Sequence, residues 1–167
     1  MDSRDKLIEA ARQCLLERGH AASSVKAIAE LAGVNHGLVH HHFGSKEGLL
    51  VAVAEREAKR RRDLLLQAGS PAGLPHLILE SLLPDREFFH LVIEFFAMAR
   101  RMPRVGAAVQ SCLRQHRETL EGVLGASDRM QASRLMASLM GLALWSSVDD
   151  SVPTRDVAQR IIAELVP

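Results

Sequence analysis

Tyrosine is missing from this chain of 167 residues, and its other aromatics amount to five phenylalanines and one tryptophan. No phenol is therefore available for catalysis or for a phosphate contact. Cysteine is nearly as scarce. Cys14 and Cys112 fall in separate expected helices, which excludes a disulfide framework and reads as two ordinary reduced, buried thiols. No run of about eighteen apolar residues occurs, so no helix able to span a bilayer is expected. The first residues, Met1-Asp2-Ser3-Arg4-Asp5, pass straight into an amphipathic helix, and no signal peptide is expected. Strand alternation and internal repeats are lacking, as are a nucleophile elbow and a glycine-rich phosphate loop, and nothing points to an enzyme. What remains is 47% hydrophobic and 25% charged, enough to bury a core in one or two helical units.

A further absence is local. Between Glu30 and Glu47 there is no acidic residue, as a surface that must approach a polyanion requires. The same stretch has the punctuation of a helix-turn-helix. Val25, Ile28, Ala29 and Ala32 recur at helical spacing behind a cap at Ser23 or Ser24. Gly33 breaks the pattern where one residue must take a positive φ, Val34 plugs the angle between the helices, and Asn35 is a capping type. A second helix from His36 to Phe43 stops at Gly44. Val39 and Phe43 share its inward face, while His36, Gly37, His40 and His41 lie opposite. Lys46 follows the cap at Ser45 in the first turn of the next helix, where a cation opposes the helix dipole; a phosphate contact would explain it.

The run Ile28-Ala29, Ala32-Gly33-Val34, Gly37, Phe43 and Ser45-Lys46-Glu47 with Leu49-Leu50 resembles the signature of the TetR/AcrR family of bacterial transcriptional regulators. An upstream helix, Arg4 to Arg18, with Leu7, Ile8, Ala11 and Leu15 on one face and Gly19 as stop, completes the similarity over about the first third of the chain. The resemblance implies an all-α protein with a DNA-binding domain over 1–47 and an effector-binding and dimerisation domain over 48–167. It implies DNA contacts from Ser23, Ser24, Lys26, Asn35, His36, Gly37, His40, His41 and Lys46. The family usually has tyrosine where this chain has His40, and often threonine where it has Leu38. Imidazole takes the phenol's place as donor, more strongly when charged. Residues 1–62 hold 11 basic and 8 acidic side chains against 10 and 12 in the remainder, which puts the positive end at the expected DNA side.

Beyond the motif the spacing predicts helices over 46–68, 74–83, 85–101, 103–124, 129–148 and 154–166, with a linker at Gly69-Ser70-Pro71-Ala72-Gly73. Lys59-Arg60-Arg61-Arg62 reads as a solvated face. The resemblance implies that the last two helices pair across a two-fold axis. Leu135, Leu139, Leu142 and Gly141, with Val157, Ile161 and Leu165, are the expected dimerisation residues. Phe88, Phe89, Val92, Phe95, Phe96 and Met102, with Trp145, are the expected lining of an apolar effector pocket. His90, Arg100, Gln110, Arg114 and His116 are its candidate polar anchors.

The expectation is thus a ligand-responsive regulator, most simply a repressor, in the cytoplasm at the nucleoid. It would bind a palindromic double-stranded operator as a homodimer and be released by an apolar small molecule, with no cofactor, membrane association or metal. His36 and His40 have chelating i, i+4 spacing, but no carboxylate or cysteine stands near to complete a site. The alternative is a helical small-molecule or metal-binding protein without DNA-binding activity. Such a module would have no reason to keep an acid-free surface from Leu31 to Ser45 beside Lys46.

Overall fold

Helical spacing of apolar residues, broken by glycine and proline, gives an all-α chain in the computed structural model, which describes residues 2–125 and 129–166 and contains no strand among them. The helices are α1 (Ser3–Ala22), α2 (Val25–Ala32), α3 (Gly37–Phe43), α4 (Lys46–Leu66), α5 (Leu74–Leu77), α6 (Arg86–Ala99), α7 (Pro103–Leu124), α8 (Arg129–Ser146) and α9 (Thr154–Leu165). Asp2 caps α1 by accepting from the Asp5 amide at 2.7 Å. Gly19, at φ 67° and ψ 174°, interrupts α1 where the sequence predicts its end, and one further helical turn follows.

Two departures concern the middle of the chain. The helix expected over 74–83 is a single α turn that continues as a π-helical segment, Ile78–Leu82, preceded by a 3₁₀ turn at Pro71–Gly73. Arg61, expected on a solvated face, is only 5% exposed. It donates to the Leu82 carbonyl at 2.5 Å and faces Asp85 at 3.4 Å, with the Phe88 and Phe89 rings centred 4.2 and 5.3 Å from its guanidinium carbon. The Leu82 carbonyl lies at the end of the π segment, which offers it to Arg61. Lys59 and Arg60 remain exposed, as expected.

Residues 1–57 with 90–112 make one compact unit, and 58–89 with 113–167 a second. In the first, Leu7, Ile8, Ala11, Cys14 and Leu15 of α1 pack with Ile28, Val39, Leu49, Leu50, Val53, Leu91, Phe95, Met98 and Val105. In the second, Leu65, Leu74, Ile78, Leu82, Leu120, Leu135, Ile162 and Leu165 form the main cluster, and Leu142, Val152 and Ala158 a smaller one. Cys14 is buried, Cys112 half-buried, and both are free thiols.

The second core takes up part of the expected dimerisation set. Leu135, Leu142 and Leu165 are buried within their own unit, and Leu139, Val157 and Ile161 pack against the same clusters. Only Gly141 of that set is exposed. An apolar face does remain on α8, where Ala137, Gly141, Leu144 and Trp145, followed by Val148 just beyond the helix, recur at steps of three and four; Trp145 is 59% exposed and Val148 86%.

His116 in the second unit is half-buried. Burial, then the charges of Arg61 and Arg62, push its imidazole down to about 4. A histidine depressed on folding binds fewer protons folded than unfolded. Its contribution is therefore present above the unfolded value of about 6.5 and is lost as pH falls toward the folded one. At about 1.36 kcal/mol per unit the loss is at most about 3 kcal/mol, and less for a ring that water reaches. Melting curves at about pH 7.5 and about pH 4 should show wild-type protein losing several degrees more than His116→Gln. Equal losses would assign the acid sensitivity to other groups.

Candidate nucleic-acid interface

Residues of both helices in the turn are placed by local chemistry. Ser24 caps α2, its Oγ accepting from the Ala27 amide at 3.1 Å. Gly33, at φ 64° and ψ 37°, ends α2 in the left-handed conformation, with its amide and that of Val34 closing onto Glu30 and Ala29 carbonyls. Asn35 Oδ1 then accepts from the Gly37 amide at 2.8 Å, which starts α3. Gly44, at φ 73°, ends it.

Val39 is fully buried, and Leu38 and Phe43 pack against the same core. That burial turns His36, Gly37, His40 and His41 to solvent. His42 instead faces α1, its Nε2 2.9 Å from Ser3 Oγ. Arg4, at the start of α1, lies over the Phe43 ring at 5.4 Å. His40 Nδ1 is 3.2 Å from the Gly44 carbonyl. A carbonyl only accepts, so this contact assigns the proton to Nδ1 and leaves Nε2 outward as an acceptor in the neutral ring. His40 can donate outward from Nε2 only when charged.

Lys46 Nζ donates to the His20 carbonyl at 3.1 Å, and burial holds its ammonium below the usual lysine range. That bond uses one of three protons and leaves two for an outside acceptor. On the other side of the same residue, the Glu94 carboxylate accepts from the His20 amide at 2.9 Å. Glu47 accepts from the Arg104 amide at 3.0 Å. Glu94 and Glu47 carried no sign of these roles in sequence, because their partners lie 74 and 57 positions away.

Ser24, Lys26, Asn35, His36, Gly37, His40 and His41 are exposed, and Lys46 is half-buried. Ser23 is a correction. It is fully buried, and its Oγ donates to the Gly19 carbonyl at 2.7 Å, so its side chain closes the end of α1 rather than facing outward. No group of three or more histidine, cysteine or acidic side chains able to hold a metal occurs among the described residues.

The expected effector set is not gathered in this way. Phe95 is buried in the core of the first unit, with Met102 packed against that core, and Val92 is half-buried there. Phe96 of the same unit is 39% exposed. Phe88 and Phe89 belong to the second unit, edge to face against each other and over Arg61, and Trp145 is largely exposed. Among the expected polar anchors, His90, Arg100, Gln110 and Arg114 are exposed and only His116 is withdrawn from solvent.

The helix-turn-helix geometry has known counterparts. Residues 7–53 match the model of the family described as bacterial regulatory proteins, tetR family. The chain is 35% identical over 68 residues to the HTH-type transcriptional repressor AcnR of Corynebacterium glutamicum; the match covers 41% of this chain and 36% of that protein's length. Among solved structures it is similar to a transcriptional regulator from Rhodococcus sp. Rha1, with a TM-score of 0.82 at 23% identity over 99% of this chain and 94% of the other. It is also similar to the multidrug binding protein EbrR complexed with imidazole, with a TM-score of 0.77 at 24% identity over 100% and 96%. The two structural likenesses establish the fold alone.

Gly48 sets how closely α4 follows α3, because a Cβ there would stand 2.1 Å from the Phe43 carbonyl oxygen. Alanine would gain about 1 kcal/mol of helix propensity, but that is outweighed if a backbone oxygen must move. A Cβ at Gly33 meets nothing within 4 Å, so alanine there costs only its left-handed strain, about 1–2 kcal/mol. Gly48→Ala should therefore destabilise more than Gly33→Ala in denaturant titrations. The reverse order would show that α3 yields easily.

Proposed function

Because residues 7–53 match the model of the tetR family of bacterial regulatory proteins, we propose that this chain is a DNA-binding transcriptional regulator, most simply a repressor that binds a palindromic operator as a homodimer and is released by a small-molecule effector. The observation that carries the reading is the outward face of α3. His36, Gly37, His40 and His41 stand exposed there, backed by buried Val39, in a stretch without an acidic side chain from Leu31 to Lys46. A short helix with that face fits a major groove, and the capped starts of α2 and α4 suit phosphate on either side.

Residues 1–47 would be the DNA-binding domain and 48–167 the effector-binding and dimerisation domain. A palindromic site calls for a two-fold protein. The exposed face of α8 around Gly141, Leu144 and Trp145 supplies an apolar surface for a second copy. EbrR's description as a multidrug binding protein supports an effector for this fold. Within the second unit, Phe88 and Phe89 would then offer it aromatic contact beside Arg61 and His116, with Trp145 as a further candidate.

Selection of binding sites from random duplexes with purified protein tests the central claim. An enriched palindrome is expected; no enrichment would leave the binding module without DNA activity as the better reading. Lys46→Ala should weaken all duplexes alike and lower the salt slope by about one per subunit, whereas His36→Ala should relax preference at one or two base pairs. A Lys46 variant with altered preference and an unchanged slope would refute that division of roles.

Gly141→Arg tests assembly without disturbing the monomer, since the space around Gly141 is open. A charge trapped unpaired in an interface costs roughly 3–5 kcal/mol. Light scattering should therefore show monomers, with operator binding abolished. A dimer that persists and still binds would place the interface elsewhere.

A further inference from the structure

A second acid-free stretch, longer than the one around α3, runs from Phe95 to Arg117 and carries five arginines. Three of them are exposed, Arg100 and Arg101 in the turn after α6 and Arg104 in the first turn of α7. No ion pair among the described residues engages their side chains. The turn is held from inside by apolar residues, with Met98 and Val105 buried in the first unit's core and Met102 packed against it. Backbone bonds brace it further, the amides of Arg101 and Met102 both reaching the Met98 carbonyl at 2.9 Å. The arginines are therefore presented by a fixed turn.

Their position relative to the helix-turn-helix is also fixed. The Arg104 amide is bonded to Glu47, the residue next to Lys46, and Glu94, on α6 ahead of Arg100, holds the His20 amide while Lys46 holds the carbonyl of the same residue. Glu94 and Glu47 are thus occupied by backbone amides. What faces water is cationic and adjoins the start of α4.

We propose that Arg100, Arg101 and Arg104 form a second phosphate-binding patch, which grips the duplex backbone flanking the base pairs read by α3. Arginine suits the task because its planar fork can take a phosphate by two bonds. The patch adds affinity and salt dependence without reading sequence. The inference rests on the DNA-binding reading given above.

The test uses the full chain and a labelled mixed-sequence duplex of about 40 base pairs, for which binding is almost entirely electrostatic. The variant Arg100→Ala, Arg101→Ala, Arg104→Ala should bind more weakly at low salt, and its slope of log affinity against log salt should fall by about 0.9 for each phosphate that is no longer neutralised. The three single variants should each take part of that fall. Lysine at all three positions should restore most of the slope. A charge-matched control in the second unit, Arg86→Ala, Arg155→Ala, Arg160→Ala, should keep the wild-type slope. Wild-type slope and affinity in the first variant, or an equal fall in the control, overturns the patch while the DNA-binding reading stands. If the wild-type protein binds neither this duplex nor any selected site, both fall together.

Discussion

The peptide of His20 is the point on which the first unit depends. Gly19 turns the chain out of α1 with a positive φ, and the next residue is then gripped on both sides, its amide by Glu94 and its carbonyl by Lys46. Ser23 closes the same corner from inside through the Gly19 carbonyl. A helix end left with open amides and carbonyls would have to face water. Here, α4 and α6 satisfy it instead, and the start of α2 follows from that corner. The geometry of α2 and α3 is thus set by how α1 ends.

The same residues would link the proposed DNA contact to the helices behind it. Lys46 offers two free protons outward while anchored to His20, and its neighbour Glu47 holds the first turn of α7. Any movement of α6 or α7 relative to α1 must stretch bonds to groups beside the proposed phosphate ligand. The two bonds to His20 are only part-buried and the Glu47 bond is exposed, so water can replace a lost partner and each bond contributes about 1 kcal/mol.

The second unit is organised around a different constraint. Arg61 is buried with a carbonyl, one carboxylate and two phenylalanine rings about it. A buried guanidinium needs all of these to offset its desolvation. The π segment at Ile78–Leu82 ends on the carbonyl that Arg61 takes, and Phe88 and Phe89 stand against its guanidinium. Two of the seven residues expected to line an apolar pocket are in this way committed to a cation.

Local signals made most of the helices and the whole helix-turn-helix legible in the sequence. Apolar spacing fixed the inward faces of α1, α2 and α3, and Ser24, Gly33, Asn35 and Gly44 marked their limits, because each of these acts on backbone within a few residues. Long-range pairing was not legible. Glu94 and Glu47 look like any surface acids until the fold brings an amide to each. On α8, apolar residues surround the helix, so periodicity could not say which stripe the chain keeps for its own core; packing against α9 and the π segment took Leu135 and Leu142 and left Leu144 and Trp145 outside. Arg61 sits in a run of four basic residues, and only the neighbours brought by the tertiary fold decided which of them is buried. Sequence alone determined where helices start, stop and turn, since those forces act over one turn. The tertiary structure decided which polar groups meet and which apolar faces stay open, since those depend on residues far apart in the chain.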